Sequence, residues 1–168
     1  TVSDIEYVAN MPTEEIFTTP DSRRAEGTIR SSKPLSLNGQ IIRGLQFTFE
    51  DGRIVGVDAE QGADLVRSQI ATNENADRLG ELALVTSESR VGQSGTLFFD
   101  TLFDENATCH IAYGMGLPYA FEGEPDAGSN VCNIHVDFMV GAPELEVDAV
   151  LADGTEVPLI RGEEWQLA

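Results

Sequence analysis

Ile42-Arg43-Gly44-Leu45-Gln46-Phe47-Thr48-Phe49-Glu50-Asp51-Gly52-Arg53-Ile54-Val55-Gly56-Val57-Asp58-Ala59 decides the fold class of this chain. Leu45, Phe47 and Phe49 alternate with polar neighbours, and a second apolar run follows Gly52. Successive side chains of a strand point to opposite faces, so this period of two reads as two half-buried strands. The Asp51-Gly52 pair between them supplies the positive backbone angles that a two-residue hairpin turn requires. Asn38-Gly39 signals a second turn just before, and Thr28 to Ser32 a strand before that.

The period changes only once. Leu65, Val66, Ile70 and Ala71 are spaced as on one face of a helix. Residues 73 to 80 are polar, and Glu81-Leu82-Ala83-Leu84-Val85 begins a strand again. Ser87 to Gly95 reads as loop. Thr108 to Tyr113 and Val131 to Val140 are the strongest strands of the second half, separated by an acidic Gly- and Pro-containing loop from Pro118 to Ser129. Glu146 to Leu151 and Glu156 to Ile160 flank Asp153-Gly154 as a terminal hairpin, in which Pro158 predicts an edge strand. There is no internal repeat. The sum is a β-dominated α+β domain with one main helix and a curved or barrel-like mixed sheet.

The chain has 168 residues, 41% of them apolar, which is enough for one domain with its own core. Its 29 acids against 10 bases give a net charge of −19, and Lys33 is the only lysine. With no basic stripe to meet phosphates, nucleic acid and anionic membranes are not expected partners. No run is long and apolar enough for a membrane helix, and residues 1–4 do not resemble a signal peptide. The first residue is not Met, so a piece of a longer protein is expected. Two cysteines, Cys109 and Cys132, are too few for a disulfide framework, and a reducing cytoplasmic setting is expected.

There are only two histidines, His110 and His135, and each lies in a strand pattern near carboxylates. His135 and Asp137 are two apart and share a face, with the core expected on the face of Ile134, Val136 and Phe138. They could ligate a metal, or make a plain His–Asp hydrogen bond on a sheet surface. His110 shares a face with Thr108 and Ala112, opposite to Cys109, Ile111 and Tyr113. A shared Cys₂His₂ zinc site is therefore disfavoured, because each cysteine points away from its neighbouring histidine. Glu14 and Glu15 are adjacent acids in an apolar context, and Glu81 is an acid leading into an apolar strand. Neighbouring carboxylates can divide labour between ligation and proton transfer, although each is equally readable as a charge at a strand end. Sequence motifs for a nucleophilic serine, a P-loop or an H-E-x-x-H zinc helix are absent.

Four runs together carry a resemblance. They are Asn10 to Asp21 (with Met-Pro-Thr-Glu-Glu-Ile-Phe), Arg78 to Val85, Phe98 to His110 (with Leu-Phe-Asp-Glu-Asn-Ala), and His135-Val136-Asp137-Phe138-Met139. They occur in order over most of the chain. The chain resembles the C-terminal half of the thermophilic aminopeptidases, bacterial metallo-aminopeptidases with two co-catalytic metal ions. The resemblance implies metal ligands at Glu15, Glu81, His110, His135 and Asp137, with Glu81 bridging two divalent ions (zinc, cobalt or manganese). It also implies hydrolysis of peptides at a free N-terminus, homodimeric assembly of the full-length protein, and an additional N-terminal α/β domain outside residues 1–168. Glu14, next to a ligand, is the expected general base.

One position departs from the family pattern. Where a catalytic tyrosine is expected, seven residues after His110, the chain has Leu117. Tyr119 is the expected substitute, since Tyr113 should face away from His110. A catalytically silent metal-binding or dimerisation domain is the alternative, and an acidic binding module without metal is a third.

Overall fold

The computed structural model describes residues 11, 13–120 and 128–167. In chain order the strands and helices are β1 (Ile16–Thr18), β2 (Gly27–Arg30), β3 (Leu35–Leu37), β4 (Gln40–Ile42), β5 (Gln46–Glu50), β6 (Arg53–Asp58), α1 (Ala63–Thr72), β7 (Leu79–Leu84), α2 (Arg90–Gln93), α3 (Thr101–Asp104), β8 (His110–Gly114), β9 (His135–Met139), β10 (Glu146–Val150), β11 (Glu156–Arg161) and β12 (Glu164–Trp165). A single 3₁₀ turn, Glu105–Ala107, links α3 to β8.

The strand-dominated α+β reading holds, with α1 as the main helix. The sheets are open: β1-β7-β8-β9, β2-β5-β6, β10-β11-β12 and the pair β3-β4. Every strand pairing among the described residues is antiparallel, so the sheet is not mixed, and no barrel closes. Both expected hairpin turns are present. Asn38 and Gly39, like Asp51 and Gly52, have positive φ at both central positions, the type I′ geometry that matches strand twist. At Gly52 glycine is also required by space, because a Cβ there would lie 2.4 Å from the Arg23 carbonyl carbon.

Three expectations are revised. The stretch read as loop between Ser87 and Gly95 contains α2, and α3 follows it. Each is a single turn held by a side-chain cap, Ser89 accepting from Gly92 N–H and Asp100 from Leu102 N–H. Such short helices carry no periodicity and depend on those caps. The strand expected from Val131 begins only at His135. Pro158 lies in the central strand of its sheet, not an edge strand. It is tolerated because it faces Asp148 at a register shift of β10, while β12 pairs only with Ile160 and Arg161. Of the acidic loop from Pro118 to Ser129, residues 121–127 lie outside the described residues, as do Asn10 and Pro12 of the first family-like run.

The core gathers Phe47 and Phe49 of β5 with Tyr113 of β8, Val136 and Phe138 of β9, and Val66 of α1. Phe47 sits edge-on to Tyr113 at 5.4 Å and to Phe138 at 5.1 Å. Burial of each such ring contributes about 1.5–3 kcal/mol. This aromatic knot fixes one face of the β7-β8-β9 sheet and leaves the opposite face free for polar groups. Tyr113 belongs to the knot, its hydroxyl donating to Gln69 Oε1 at 2.6 Å, so it faces away from His110 as expected.

Cys109 lies on the core side as well, 3% exposed, with Val85 N–H donating to its sulfur and its thiol donating to the Val85 carbonyl. Both cysteines are free. Burial pushes the Cys109 thiol above its ordinary pKa, which further depletes the reactive thiolate near neutrality. Iodoacetamide at pH 8 should therefore label the native protein at half-buried Cys132 first, with Cys109 reacting only after unfolding in urea; mass spectrometry of timed samples checks this.

Candidate metal centre

Strand register assembles the site. Across β7, β8 and β9, Glu81 pairs with Ala112 and Ala112 with Asp137. The two carboxylates thus stand on one face with only a methyl group between them. The next row pairs Ala83 with His110 and His110 with Met139. β1 adds Phe17 opposite Ala83, which places Glu15, two residues earlier, on the same face. His135 pairs with Gly114 at the end of β8, again on this face.

Glu81 reaches this face through a bulge. Leu79 pairs with Tyr113 but Glu81 with Ala112, so the register shifts at Gly80. Without the shift Leu79 and Glu81 would share a face. With it Leu79 packs on the core and Glu81 turns into the site. Only glycine fits there, because a Cβ on Gly80 would lie 2.0 Å from the Met115 carbonyl oxygen.

Both imidazoles are oriented by backbone. His110 Nδ1 lies 3.1 Å from the Thr108 carbonyl and His135 Nδ1 lies 2.7 Å from the Met115 carbonyl. A carbonyl only accepts, so each Nδ1 carries the proton, and each Nε2 is the atom presented to the site. His110 Nε2 is 3.0 Å from Glu15 Oε2 and 3.9 Å from Glu81 Oε1. His135 Nε2 is 3.0 Å from Glu81 Oε2 and 3.1 Å from Asp137 Oδ1. Glu81 therefore turns one oxygen toward each histidine.

Three overlapping groups have ligand atoms within 4.8 Å of one another: Glu15, Glu81 and His110; Glu81, His135 and Asp137; Glu105, His110 and Asp137. Glu105 is absent from the sequence reading. It lies in the 3₁₀ turn that follows α3, 8% exposed. Its signal was an acid five residues before His110 in the same family-like run, but nothing in the local pattern turns it inward.

The donor set suits divalent cations. Four carboxylates and two imidazoles converge, all of mixed N and O type. Even with both imidazoles protonated, two negative charges remain uncompensated in a largely buried cleft, which is costly without cations. His110 Nε2 is fully buried and makes no hydrogen bond of acceptable geometry, despite its closeness to Glu15. Burial works against charging the imidazoles, but the carboxylates outweigh it. Glu15, Asp137 and the Thr108 carbonyl raise His110 to about 9. Asp137, Glu81 and the Met115 carbonyl raise His135 to about 11. The cleft thus selects positive charge at both Nε2 positions.

Glu15, Glu81, Glu105, His135 and Asp137 line an open cleft of about 210 Å³, whose remaining wall is Phe17, Met115, Leu117 and Tyr119. Tyr119 is thus at the site, its ring edge-on to Phe17 at 6.3 Å. Glu14 is not. Its carboxylate accepts from Val91 N–H at 3.2 Å in α2, and its own N–H donates to Asn106 Oδ1 at 2.8 Å. Burial disfavours its charge, but the Ser89 hydroxyl, the Val91 and Arg90 amides and the Arg90 guanidinium outweigh it and hold the carboxyl below its usual range. The Glu14 carboxylate thus turns toward α2 while Glu15 takes the cleft, since adjacent side chains of an extended segment point opposite ways. No helix among the described residues is long and apolar enough to cross a membrane.

A sheet face carrying imidazoles and carboxylates in overlapping ligand groups is a candidate metal centre. Residues 1–165 match the family model described as "Thermophilic metalloprotease (M29)", and the chain belongs to that family. It is 46% identical over 162 residues to "Aminopeptidase T" of Thermus aquaticus, covering 93% of this chain and 40% of that protein. It is 45% identical over 167 residues to "Aminopeptidase PepS" of Streptococcus thermophilus, covering 95% of this chain and 40% of that protein. Among solved structures, "Wild-type AmpT from Thermus thermophilus" superposes with a TM-score of 0.89 at 44% identity, covering 94% of this chain and 41% of that one. The chain spans about 40% of the length of the curated relatives it matches. Metallopeptidase membership implies the use of a divalent metal.

Proposed function

We propose that this chain is the catalytic domain, C-terminal in a longer protein, of a cytoplasmic aminopeptidase that works with two divalent ions. The observation that carries the reading is Glu81, whose two oxygens face two different histidines in a chain of a metalloprotease family. Glu15, Glu81 and His110 are proposed to hold one ion, and Glu81, His135 and Asp137 the other, with Glu105 as a further ligand beside His110 and Asp137. Zinc, cobalt and manganese all suit this donor set. When bound there, two divalent ions would supply an activated water at neutral pH and polarise the scissile carbonyl.

The protein's own residues do the positioning. The Thr108 and Met115 carbonyls lock the imidazole tautomers, the orienting role that outer partners play at metal sites. Carboxylate oxygens of the cleft not engaged by an ion would hold the substrate ammonium and take the proton that the attacking water releases. Tyr119, at the cleft rim, is proposed to donate a hydrogen bond to the scissile carbonyl oxygen, the role left open by Leu117. The substrate class is peptides with a free N-terminus, and the full-length protein is proposed to be a homodimer. Nothing in the charge distribution favours nucleic acid.

Glu14 is proposed to brace Glu15 through α2 rather than to move a proton. The test assays the intact protein on leucine p-nitroanilide with and without a chelator, beside Glu14→Gln. Chelation should abolish release and zinc should restore it. Glu14→Gln should retain metal and keep activity within about tenfold, whereas loss of a general base costs about 10²–10⁴-fold. Release that is indifferent to chelation would sink the metal-dependent reading.

A further inference from the structure

Six carboxylate and imidazole side chains make up the ligand groups, and the fold holds them in two ways. Glu81, His110, His135 and Asp137 stand on β7, β8 and β9, where sheet register fixes them. Glu15 and Glu105 do not. Glu15 precedes the short edge strand β1, and Glu105 lies in the 3₁₀ turn before β8. Both belong to groups that contain His110. Like charges drawn to one imidazole repel each other, so the two segments must be held by other means.

One side chain joins them. Asn106 follows Glu105 and is 0% exposed. Its Oδ1 accepts from Glu14 N–H at 2.8 Å, which holds the backbone immediately before Glu15. Its Nδ2 donates to the Leu102 carbonyl of α3 at 3.1 Å. Its own carbonyl accepts from the Ser89 hydroxyl, which caps α2 by accepting from Gly92 N–H. Val91 N–H of α2 donates to the Glu14 carboxylate and closes a ring through Glu14, Asn106, Ser89 and α2. The place requires an amide. An aspartate carboxylate would keep the Glu14 bond but face the Leu102 carbonyl with no proton to donate, and an apolar side chain would leave both backbone groups unpaired.

From this ring we infer that Asn106 is a positioning residue for the metal centre: it sets where Glu15 and Glu105 stand beside His110, and leaves Glu81, His135 and Asp137 to the sheet. The inference rests on the two-ion reading above. Ligands held in place before binding lose less freedom when an ion arrives, and the ring supplies that order. Its distinctive consequence is asymmetry. A residue that only supported the fold would lower stability and leave ion affinity alone, or weaken both positions alike. Opening the Asn106 ring loosens ligands of the His110 position and none of the group Glu81, His135 and Asp137. Ion uptake should therefore weaken at one position only.

The test is competitive zinc titration of the intact protein, well below its unfolding temperature, beside thermal unfolding of the metal-free form. Wild type should take up zinc in two steps, and Glu15→Gln identifies the step that belongs to His110. Asn106→Ala should weaken that step at least about tenfold and leave the other within about threefold, the first factor being the usual cost of disturbing an outer partner of a ligand. Asn106→Asp, which keeps the bond from Glu14 N–H, should weaken the same step by a smaller factor of about fivefold, and it decides the question if the alanine variant does not fold. Tyr113→Phe removes a hydroxyl bond to Gln69 on the opposite face of the sheet. It should lower Tm and leave both zinc steps unchanged. A folded Asn106 variant with its His110 step within about threefold of wild type, or with both steps weakened alike, overturns this inference and leaves the two-ion reading standing. Failure of both variants to fold makes Asn106 a folding residue and overturns it equally. Uptake of fewer than two ions by wild type defeats the two-ion reading itself and the inference with it.

Discussion

Replacing Glu81 with Ala should lower peptide-amide turnover by at least ~10³-fold and leave the protein able to hold at most one ion. Glu81 belongs to two of the three ligand groups, with one oxygen toward each histidine. Without it His135 and Asp137 supply only two donors to the second position, and His110 keeps Glu15 and Glu105. Each metal contribution to transition-state charge is worth several kcal/mol, and every 1.36 kcal/mol is tenfold in rate, which sets the expected factor. The fold should survive. In the metal-free protein Glu81 is one of four carboxylates crowding a cleft, so its removal relieves repulsion. The diagnostic signature is therefore a metal-free melting temperature unchanged or raised, together with loss of the stabilisation by zinc, which for a full site is about 2.7 kcal/mol at a free concentration 100 times Kd. Retained zinc stabilisation and turnover within tenfold of wild type would remove Glu81 from the centre of the site.

Gly80→Ala should be the second large effect, acting through backbone. The new Cβ would meet the Met115 carbonyl oxygen at 2.0 Å and the Gly114 carbonyl oxygen at 2.8 Å. Neither can retreat cheaply. Met115 N–H donates to the Ile134 carbonyl, Gly114 N–H to the Arg78 carbonyl, and the Met115 carbonyl orients His135. Relieving the clash must displace the Glu81 bulge, the His135 anchor, or both. Overpacking of this kind costs about 1–3 kcal/mol, which for a domain of this size lowers Tm by about 2–12 °C. Zinc affinity should fall with it by about 10–100-fold, the usual cost of disturbing an outer partner of a ligand. Thermal unfolding and competitive zinc titration check both, and an unchanged Tm with unchanged affinity would show that the bulge does not set the site.

Much of this site was legible in the chain itself, for a definite reason. Strand alternation is local, so the shared face of His135 and Asp137, and the separation of His110 from Cys109, followed from counting by twos. The type I′ turns at Asn38-Gly39 and Asp51-Gly52 were legible because few residue pairs adopt those angles. What escaped depends on neighbours distant in sequence. The Gly80 bulge is dictated by the Met115 carbonyl. The inward turn of Glu105 requires the 3₁₀ turn after α3, and the outward turn of Glu14 requires the amides of α2. Pro158 was assigned to an edge because the two-residue strand β12, which makes β11 central, is too short to carry a pattern. The ligand set came from family resemblance, and the structure brings its five residues together in overlapping groups.

The most direct test of the central claim is the metal content of the intact protein, saturated with zinc, freed of excess ion and measured by elemental analysis against protein concentration, with anomalous diffraction locating each ion. The account predicts two ions per chain, both in contact with Glu81, one beside His110 and one beside His135. A single ion, or two ions with Glu81 touching only one, would contradict it.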